Sequence, residues 1–92
     1  MGFQETFKAL SDKTRREILE KLKGGRMTAG DIASNFNMTA ATVSHHLAVL
    51  RDSGLISDEK VGKNIYYELD LSVVDEILGW IAGLGGDRNE KQ

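Results

Sequence analysis

Two histidines lie side by side in the segment TVSHHL, residues 42–47, and they are the only histidines of the 92-residue chain. Adjacent imidazoles raise the question of a metal site. Successive side chains on a helix diverge by about 100°, so His45 and His46 cannot readily hold one metal ion together. The chain has no cysteine, so the remaining ligands would have to be carboxylates alone. The pattern therefore predicts neither a metal site nor a cofactor.

The pair Ser44 and His45 is a second candidate for chemistry, as a nucleophile and its base. The two side chains also diverge on a helix, and no G-x-S-x-G turn surrounds the serine. The sequence places no acidic residue to orient the histidine. We therefore expect a protein that is not an enzyme.

Two threonines set the elements that position the histidines. Thr28 and Thr39 each follow a methionine and are favourable helix N-caps, and Asp31 completes a capping-box pair with Thr28. The second helix is predicted to end at Gly54, a good C′ residue. Only a short turn separates the two helices, so together they form a helix-turn-helix.

Helical phase separates the roles of the two histidines. The buried face of the second helix is centred on Val43, Leu47 and Leu50. His46 lies about 60° from that centre and His45 about 160° from it. We expect His46 to be partly buried and to hydrogen-bond to a neighbouring element. His45 should be exposed, either as a solvated surface residue or as a reader of DNA, because the small and hydroxylated residues before it suit close approach to a major groove.

The segment before Thr28 predicts two further helices. Phe3, Phe7 and Leu10 lie at helical spacing and indicate a short first helix. Ser11 is a favourable N-cap for a second helix that ends near Gly24.

The segment after Gly54 predicts a β-hairpin. Residues 64–69 alternate in the manner of a strand, and residues 55–60 form the partner strand. The tip of the hairpin presents Lys60 and Lys63.

The last predicted helix opens at Ser72, which forms a capping-box-like pair with Asp75. Its apolar residues spread over about 160° of the helix surface, wider than the ~100° stripe of an ordinary surface helix. These residues are Val73, Val74, Ile77, Leu78, Trp80, Ile81 and Leu84. A chain this short has little core to cover so wide a stripe. We expect part of it to contact a second copy of the chain, and the alternative is packing on the chain's own core.

Composition and charge limit the class of protein. Length and composition predict one globular domain over residues 1–86 and a flexible tail over 87–92. The net charge of −2 divides into +3 over residues 1–26, −1 over 27–64 and −4 over 65–92, which suits a basic face toward an anion. The lack of cysteine, of a signal peptide and of a long apolar run predicts a cytoplasmic protein with no membrane insertion.

These residues and their order resemble the winged helix-turn-helix repressors of the ArsR family. The matching segments are Leu10–Arg15, Ile18-Leu19, Val43–Leu47, Leu50-Arg51, Gly54–Ile56, Gly62-Lys63, Tyr66-Tyr67 and Leu69. The resemblance implies a mainly α fold with a small β-hairpin and a homodimer through the first and last helices. Residues of that interface would be Phe3, Phe7, Ile77, Trp80, Ile81 and Leu84.

The resemblance also implies the function. Residues 39–53 would be the recognition helix and the hairpin the wing, and the dimer would repress transcription by binding a palindromic operator in double-stranded DNA. The DNA contacts would come from Thr39, Ala41, Thr42, Ser44 and His45, with Lys60 and Lys63 of the wing. Apart from the resemblance, Arg15, Arg16 and the lysines around them are candidates for phosphate contacts, and the alternative is that they form a solvated helix face.

The sensor sites of the family are absent here. Many members bind metals through cysteines in the helix before the turn, where this chain has residues 28–31. Others bind metals through Asp and His ligands on the last helix. Counted from Asp70, the corresponding positions here are Ser72, Gly83 and Gly86. The chain therefore resembles the metal-independent members, including small autorepressors antagonised by an adjoining membrane protein. A sensor of some other ligand, or a protein-interaction module built on the same fold, are the alternatives.

Overall fold

The computed structural model describes residues 3–85. Within that range it has five helices and three strands. They are α1 (Gln4–Leu10), α2 (Lys13–Leu22), β1 (Met27–Thr28), α3 (Ala29–Phe36), α4 (Ala40–Asp52), β2 (Ile56–Val61), β3 (Asn64–Leu69) and α5 (Ser72–Leu84). The prediction of a mainly α fold with a β-hairpin is confirmed. The predicted tail, 87–92, lies outside the described residues.

The helix-turn-helix consists of α3 and α4, and both of its predicted N-caps are confirmed. Thr28 Oγ1 accepts a hydrogen bond from Asp31 N–H at 3.1 Å, and the Asp31 carboxylate accepts one from Thr28 N–H at 3.2 Å. Thr39 Oγ1 accepts from Thr42 N–H at 3.2 Å. Asn37 ends α3 in the left-handed conformation, with φ of 53°. Local capping chemistry therefore determines where both helices begin.

The hydrophobic core lies where the first four helices meet the sheet. Its buried members are Ala9, Ile18, Leu22, Ile32, Val43, Leu47, Leu50, Leu55 and Ile56. The three members from α4 are at most 2% exposed. The helical phase that separated His45 from His46 is therefore confirmed.

The end of α4 is a Schellman motif centred on Gly54. Gly54 N–H donates to the Arg51 carbonyl at 3.0 Å, and Leu55 N–H donates to the Leu50 carbonyl at 3.2 Å. Gly54 has φ of +86°, a conformation that suits a residue without a Cβ atom. This turn directs the chain from the recognition helix into β2.

Replacing Gly54 by alanine should lower the free energy of unfolding by about 1–2 kcal/mol, because an L side chain is strained at this φ. Gly79→Ala is the matched control. Gly79 lies inside α5 with open space where a Cβ atom would be, so alanine there should raise the free energy of unfolding by about 0.5–1 kcal/mol. Urea unfolding of both variants measures the difference. Equal stability of Gly54→Ala and the unmodified protein would contradict the left-handed turn.

The sheet has three antiparallel strands in the order β1-β3-β2. The two strands of the hairpin are joined by the two-residue loop Gly62-Lys63, since Val61 pairs with Asn64. Gly62 has φ of +62° at the first loop position, as a type II′ turn requires. The β2 strand begins at Ile56, one residue later than predicted.

Sequence patterns did not reveal β1. Its pairs, Met27 with Tyr67 and Thr28 with Tyr66, attach the start of the helix-turn-helix to the wing. A strand of two residues is too short to show a period of two, and its pairing partners are distant in sequence.

Two predicted N-caps are wrong. Asp12, not Ser11, caps α2, since its carboxylate accepts from Arg15 N–H at 3.0 Å. Ser11 instead donates its hydroxyl to the Lys8 carbonyl at 2.6 Å. At α5 the Asp70 carboxylate accepts from Ser72 N–H at 3.0 Å, and Ser72 is already helical. These backbone hydrogen bonds hold the pKa values of Asp12 and Asp70 below their usual value, because they stabilise the charged carboxylates.

Candidate nucleic-acid interface

The N-terminal half of α4 presents small and hydroxylated side chains on an outward face. Thr39, Ala41, Thr42, Ser44 and His45 are all exposed. None of them belongs to the core, which α4 contacts through its opposite face. The structure therefore brings the five predicted recognition-helix contacts together on one accessible surface.

Thr39 and Thr42 differ in how their hydroxyls are used. Thr39 Oγ1 caps the helix and also donates to Thr42 Oγ1 at 2.9 Å. Thr42 Oγ1 accepts that bond, so its own hydrogen remains available to a ligand. Of the two hydroxyls, Thr42 is the better donor toward a phosphate or a base edge.

The two histidines occupy different environments, as the helical phase predicted. His45 is exposed, whereas His46 is half-buried with its Nδ1 atom 3.4 Å from Arg15 Nη1. Burial is the main cause that holds the pKa of His46 below its usual value of 6.5. The charges of Arg15 and His45 act in the same direction, and Asp12 opposes them. His46 is therefore neutral at pH 7.

The wing carries two lysines whose charges are not compensated by the wing's acidic residues. Asp58 is 3.1 Å from Arg51 Nη1 at the end of α4, and Glu59 is 3.5 Å from Arg26 Nη1. Among the ion pairs between residues 3 and 85, none involves Lys60 or Lys63. Both lysines are exposed, so the hairpin tip is locally positive although the chain is acidic overall.

Known proteins match this arrangement. The sequence profile described as "Bacterial regulatory protein, arsR family" matches residues 12–58, from the start of α2 into β2. The transcriptional repressor SdpR of Bacillus subtilis is 51% identical over 75 residues, which cover 82% of this chain and 83% of SdpR. The chain belongs to the ArsR family.

Solved structures agree with this ArsR-family membership. An ArsR-like transcriptional regulator from a Rhodococcus species superposes with a TM-score of 0.85 at 27% identity, over 97% of this chain and 84% of that one. A homodimeric winged helix-turn-helix DNA-binding domain from Mycobacterium bovis gives a TM-score of 0.73 at 25% identity, over 91% and 78% of the two chains. The predicted winged helix-turn-helix fold is confirmed. The relatives are regulators, so the prediction that the chain is not an enzyme is confirmed as well.

A second surface of the ArsR-family chain is apolar and lies on α1 and α5. The Phe3 ring packs edge-on against Trp80, with ring centroids 6.1 Å apart, and against Phe7, 6.4 Å apart. The large side chains left exposed here are Phe7 (45%), Leu78 (58%), Trp80 (52%), Ile81 (48%) and Leu84 (70%). We call this set, together with Phe3, the α1–α5 surface. No helix within residues 3–85 is long and apolar enough to cross a membrane.

Ile77 differs from the other residues predicted for a dimer interface. It is only 8% exposed in a single chain, one turn before the exposed Ile81 and Trp80. Its side chain is therefore covered by its own chain and offers little area to a partner. The apolar stripe on α5 is wide enough both to pack on the chain's own core and to contact a second copy. The tertiary structure assigns Ile77 to the first role and leaves Trp80 and Ile81 exposed.

The two arginines considered for phosphate contacts bind the end of α1 instead. Arg15 Nε donates to the Ala9 carbonyl at 2.9 Å and Nη2 donates to the Lys8 carbonyl at 3.2 Å. Arg16 Nη1 donates to the Leu10 carbonyl at 2.7 Å. Carbonyls at a helix C-terminus carry partial negative charge and lack intrahelical partners. Both arginines thus hold α1 against α2, and sequence reasoning had no signal for this contact.

Potential metal ligands are dispersed across the described part of the chain. Residues 3–85 contain no group of three or more His, Asp or Glu side chains placed to hold a metal ion. The two histidine rings have centroids 5.9 Å apart and are tilted by 54°.

Proposed function

We propose that this ArsR-family chain is a homodimeric transcriptional repressor that binds a palindromic operator in double-stranded DNA. The observation that carries the proposal is the exposed face of Thr39, Ala41, Thr42, Ser44 and His45, flanked by Lys60 and Lys63. Small residues permit close approach to the major groove, while the hydroxyls and the imidazole can contact phosphates or base edges. The lysines of the wing would contact the backbone or the minor groove.

The α1–α5 surface supports the homodimer. Five large apolar side chains are 45–70% exposed there, and contiguous apolar surface of this kind marks a protein interface. The M. bovis relative is described as homodimeric. A two-fold dimer would present its recognition helices about 34 Å apart, and this symmetry is what a palindromic operator matches.

Repression without metal sensing is part of the proposal. The chain has no cysteine, and no cluster of possible ligands occurs within residues 3–85. SdpR is described as a transcriptional repressor, which supports repression here. Release by an antagonist membrane protein stays a prediction that follows from the resemblance to small autorepressors.

A protein-interaction module on the same fold is not favoured. Protein hot spots are rich in Trp, Tyr and Arg in pockets. The exposed face of α4 has no aromatic anchor other than His45 among its predicted contacts.

A gel-shift experiment tests the repressor proposal. The purified full chain is titrated onto the DNA upstream of its own gene and onto shuffled DNA of equal length, at several salt concentrations. We expect one complex that prefers the upstream fragment and weakens steeply with salt. Absence of a sequence-selective complex with this fragment and with a library of genomic fragments would overturn the proposal.

His45→Ala should weaken operator binding about 5- to 150-fold, which corresponds to the loss of about 1–3 kcal/mol of base discrimination. Binding to shuffled DNA should change little, because phosphate contacts dominate it. The melting temperature should stay unchanged, since the side chain is exposed. Fluorescence anisotropy with both duplexes measures this. An equal loss on both would place His45 on the DNA backbone and not on a base.

A further inference from the structure

One guanidinium group joins the end of α1 to the recognition helix. Arg15 donates from Nε to the Ala9 carbonyl at 2.9 Å and from Nη2 to the Lys8 carbonyl at 3.2 Å. Its third nitrogen, Nη1, lies 3.4 Å from His46 Nδ1 on α4. The donors of a guanidinium are fixed in one plane. The positions of α1 and α4 are therefore coupled through a rigid group.

A second hydrogen bond joins the same two helices. Thr6 Oγ1, which is 2% exposed, donates to the Ser53 carbonyl at 2.8 Å. Ser53 is the C-cap of α4, whereas His46 lies near the middle of that helix. α1 thus contacts the recognition helix at two separate points, and these contacts orient α4 relative to the α1–α5 surface.

The Arg15–His46 contact depends on the protonation of His46. A guanidinium has donors and no acceptor, so His46 Nδ1 must present a lone pair to it. The neutral ring with its proton on Nε2 satisfies this condition. A doubly protonated ring has no lone pair, and it would bring two positive charges within 3.4 Å of each other.

The charged groups around His46 act on its protonation in both directions. Arg15 and Asp12 face it from α2, and His45 lies beside it on α4. Lys8 and Glu5 of α1 line a groove with Val49 and Asp52 of α4, the helix that carries His46. The Asp12 carboxylate favours the charged ring more strongly than Arg15 opposes it, and it also accepts from Arg15 N–H at the start of α2. Burial is the largest effect and opposes the charge, and Arg15 acts in the same direction.

We propose that Arg15 is a positioning residue for DNA binding. Through neutral His46 it holds α4 at one orientation relative to α1, and protonation of His46 releases that hold. The inference rests on the proposed function, because the orientation of α4 relative to α1 sets the spacing of two recognition helices in a dimer. The exposed face of α4 binds the DNA duplex, and a proton on His46 opposes that binding.

The sign of the pH effect follows from the direction of the shift. The pKa of His46 is lowered in the folded chain, so the ring is neutral above the usual value of 6.5 and the contact is complete there. The Arg15–His46 contact is lost as the pH falls through the lowered pKa that His46 has in the folded chain.

Operator binding measured by fluorescence anisotropy between pH 7.5 and pH 5 tests the proposal. The duplex is the upstream fragment selected by gel shift, and the protein is the full chain. We expect the affinity of the unmodified protein to fall by about tenfold or more over this range, since binding is linked to loss of a proton from each protomer. In His46→Gln the amide oxygen can still accept from Arg15 without titrating, so this fall should disappear. Equal pH profiles for the two proteins would overturn the inference.

Measurement at pH 7.5 separates this inference from the proposed function. Lack of selective binding at that pH would contradict the repressor itself. Selective binding with a pH profile unaffected by His46→Gln would contradict only the role of the Arg15–His46 contact. Arg15→Met should weaken operator binding at pH 7.5 by about tenfold or more, whereas Arg16→Met, which removes a comparable bond to α1, should change it less than threefold.

Nitrogen NMR of the imidazoles reads the tautomer of His46 directly, and it can use His45→Ala, a variant whose melting temperature should stay unchanged. In His45→Ala only one imidazole remains, so its signals are assigned without ambiguity. We expect the Nε2–H tautomer for His46 at pH 7.5. The Nδ1–H tautomer would overturn the proposal, because that nitrogen could not accept from Arg15.

Discussion

Replacing Ile81 by aspartate should convert the protein from a dimer to a monomer and lower its affinity for the operator by more than about 100-fold. Ile81 lies in the α1–α5 surface and is 48% exposed in the single chain. A carboxylate placed in an apolar interface without a partner costs several kcal/mol. A monomer reaches only one half-site and neutralises about half of the phosphates. Both effects act against operator binding.

Sedimentation equilibrium at micromolar concentration measures the oligomeric state, and anisotropy measures the operator affinity. Ala82→Asp is the matched control, because it adds the same charge one residue further on the same helix, about 100° away from the Ile81 direction. Ala82 is exposed and lies outside the apolar stripe. We expect the control to remain dimeric. A dimer that persists in Ile81→Asp would move the interface away from α5.

The double variant Lys60→Gln/Lys63→Gln should make operator binding much less sensitive to salt. Each phosphate contact contributes about 0.9 to the slope of log K against log salt concentration, so four lysines in a dimer should reduce the slope by about 3–4. At physiological salt this corresponds to a loss of affinity of roughly 100- to 1000-fold. The prediction depends on the ion pairs that occupy Asp58 and Glu59, because unpaired acids would oppose the lysines.

Lys21→Gln/Lys23→Gln removes the same charge from the end of α2 and serves as the control. Lys23 lies beside Glu20, 3.3 Å away, on a groove lined by Leu71 and Val74 at the start of α5. Loss of general electrostatic attraction would reduce the salt slope equally in both double variants. A reduction confined to the wing variant identifies Lys60 and Lys63 as phosphate contacts.

Much of the fold could be predicted because it depends on local signals. Thr28 and Thr39 begin their helices, and Gly54 ends the recognition helix, through hydrogen bonds to residues within five positions in the chain. The candidate site followed from the same information. Once the phase of α4 was known, His45 had to point away from the core and His46 toward the neighbouring helices.

Local signals failed where two residues competed for one structural position. Ser11 and Asp12 are both good N-caps, and the structure uses the aspartate for α2. The serine turns back to the Lys8 carbonyl because α1 ends there. Sequence alone does not rank such neighbours, since the choice depends on the path of the chain through both helices.

The sequence by itself determined the starts of α3 and α4, the end of the recognition helix, its phase and the hairpin, because capping and periodicity act over one or two turns. Only the tertiary structure decided which distant groups meet. It paired β1 with β3, neutralised Asp58 and Glu59 with arginines from other elements, and placed Arg15 between α1 and His46. Except for Arg51 and Asp58, which are seven residues apart, these contacts join residues that are far apart in the chain, and no local pattern specifies them. The segment TVSHHL therefore specified that His45 points away from the core and His46 toward the neighbouring helices. Packing placed Arg15 beside His46, and this contact gives His46 its proposed role.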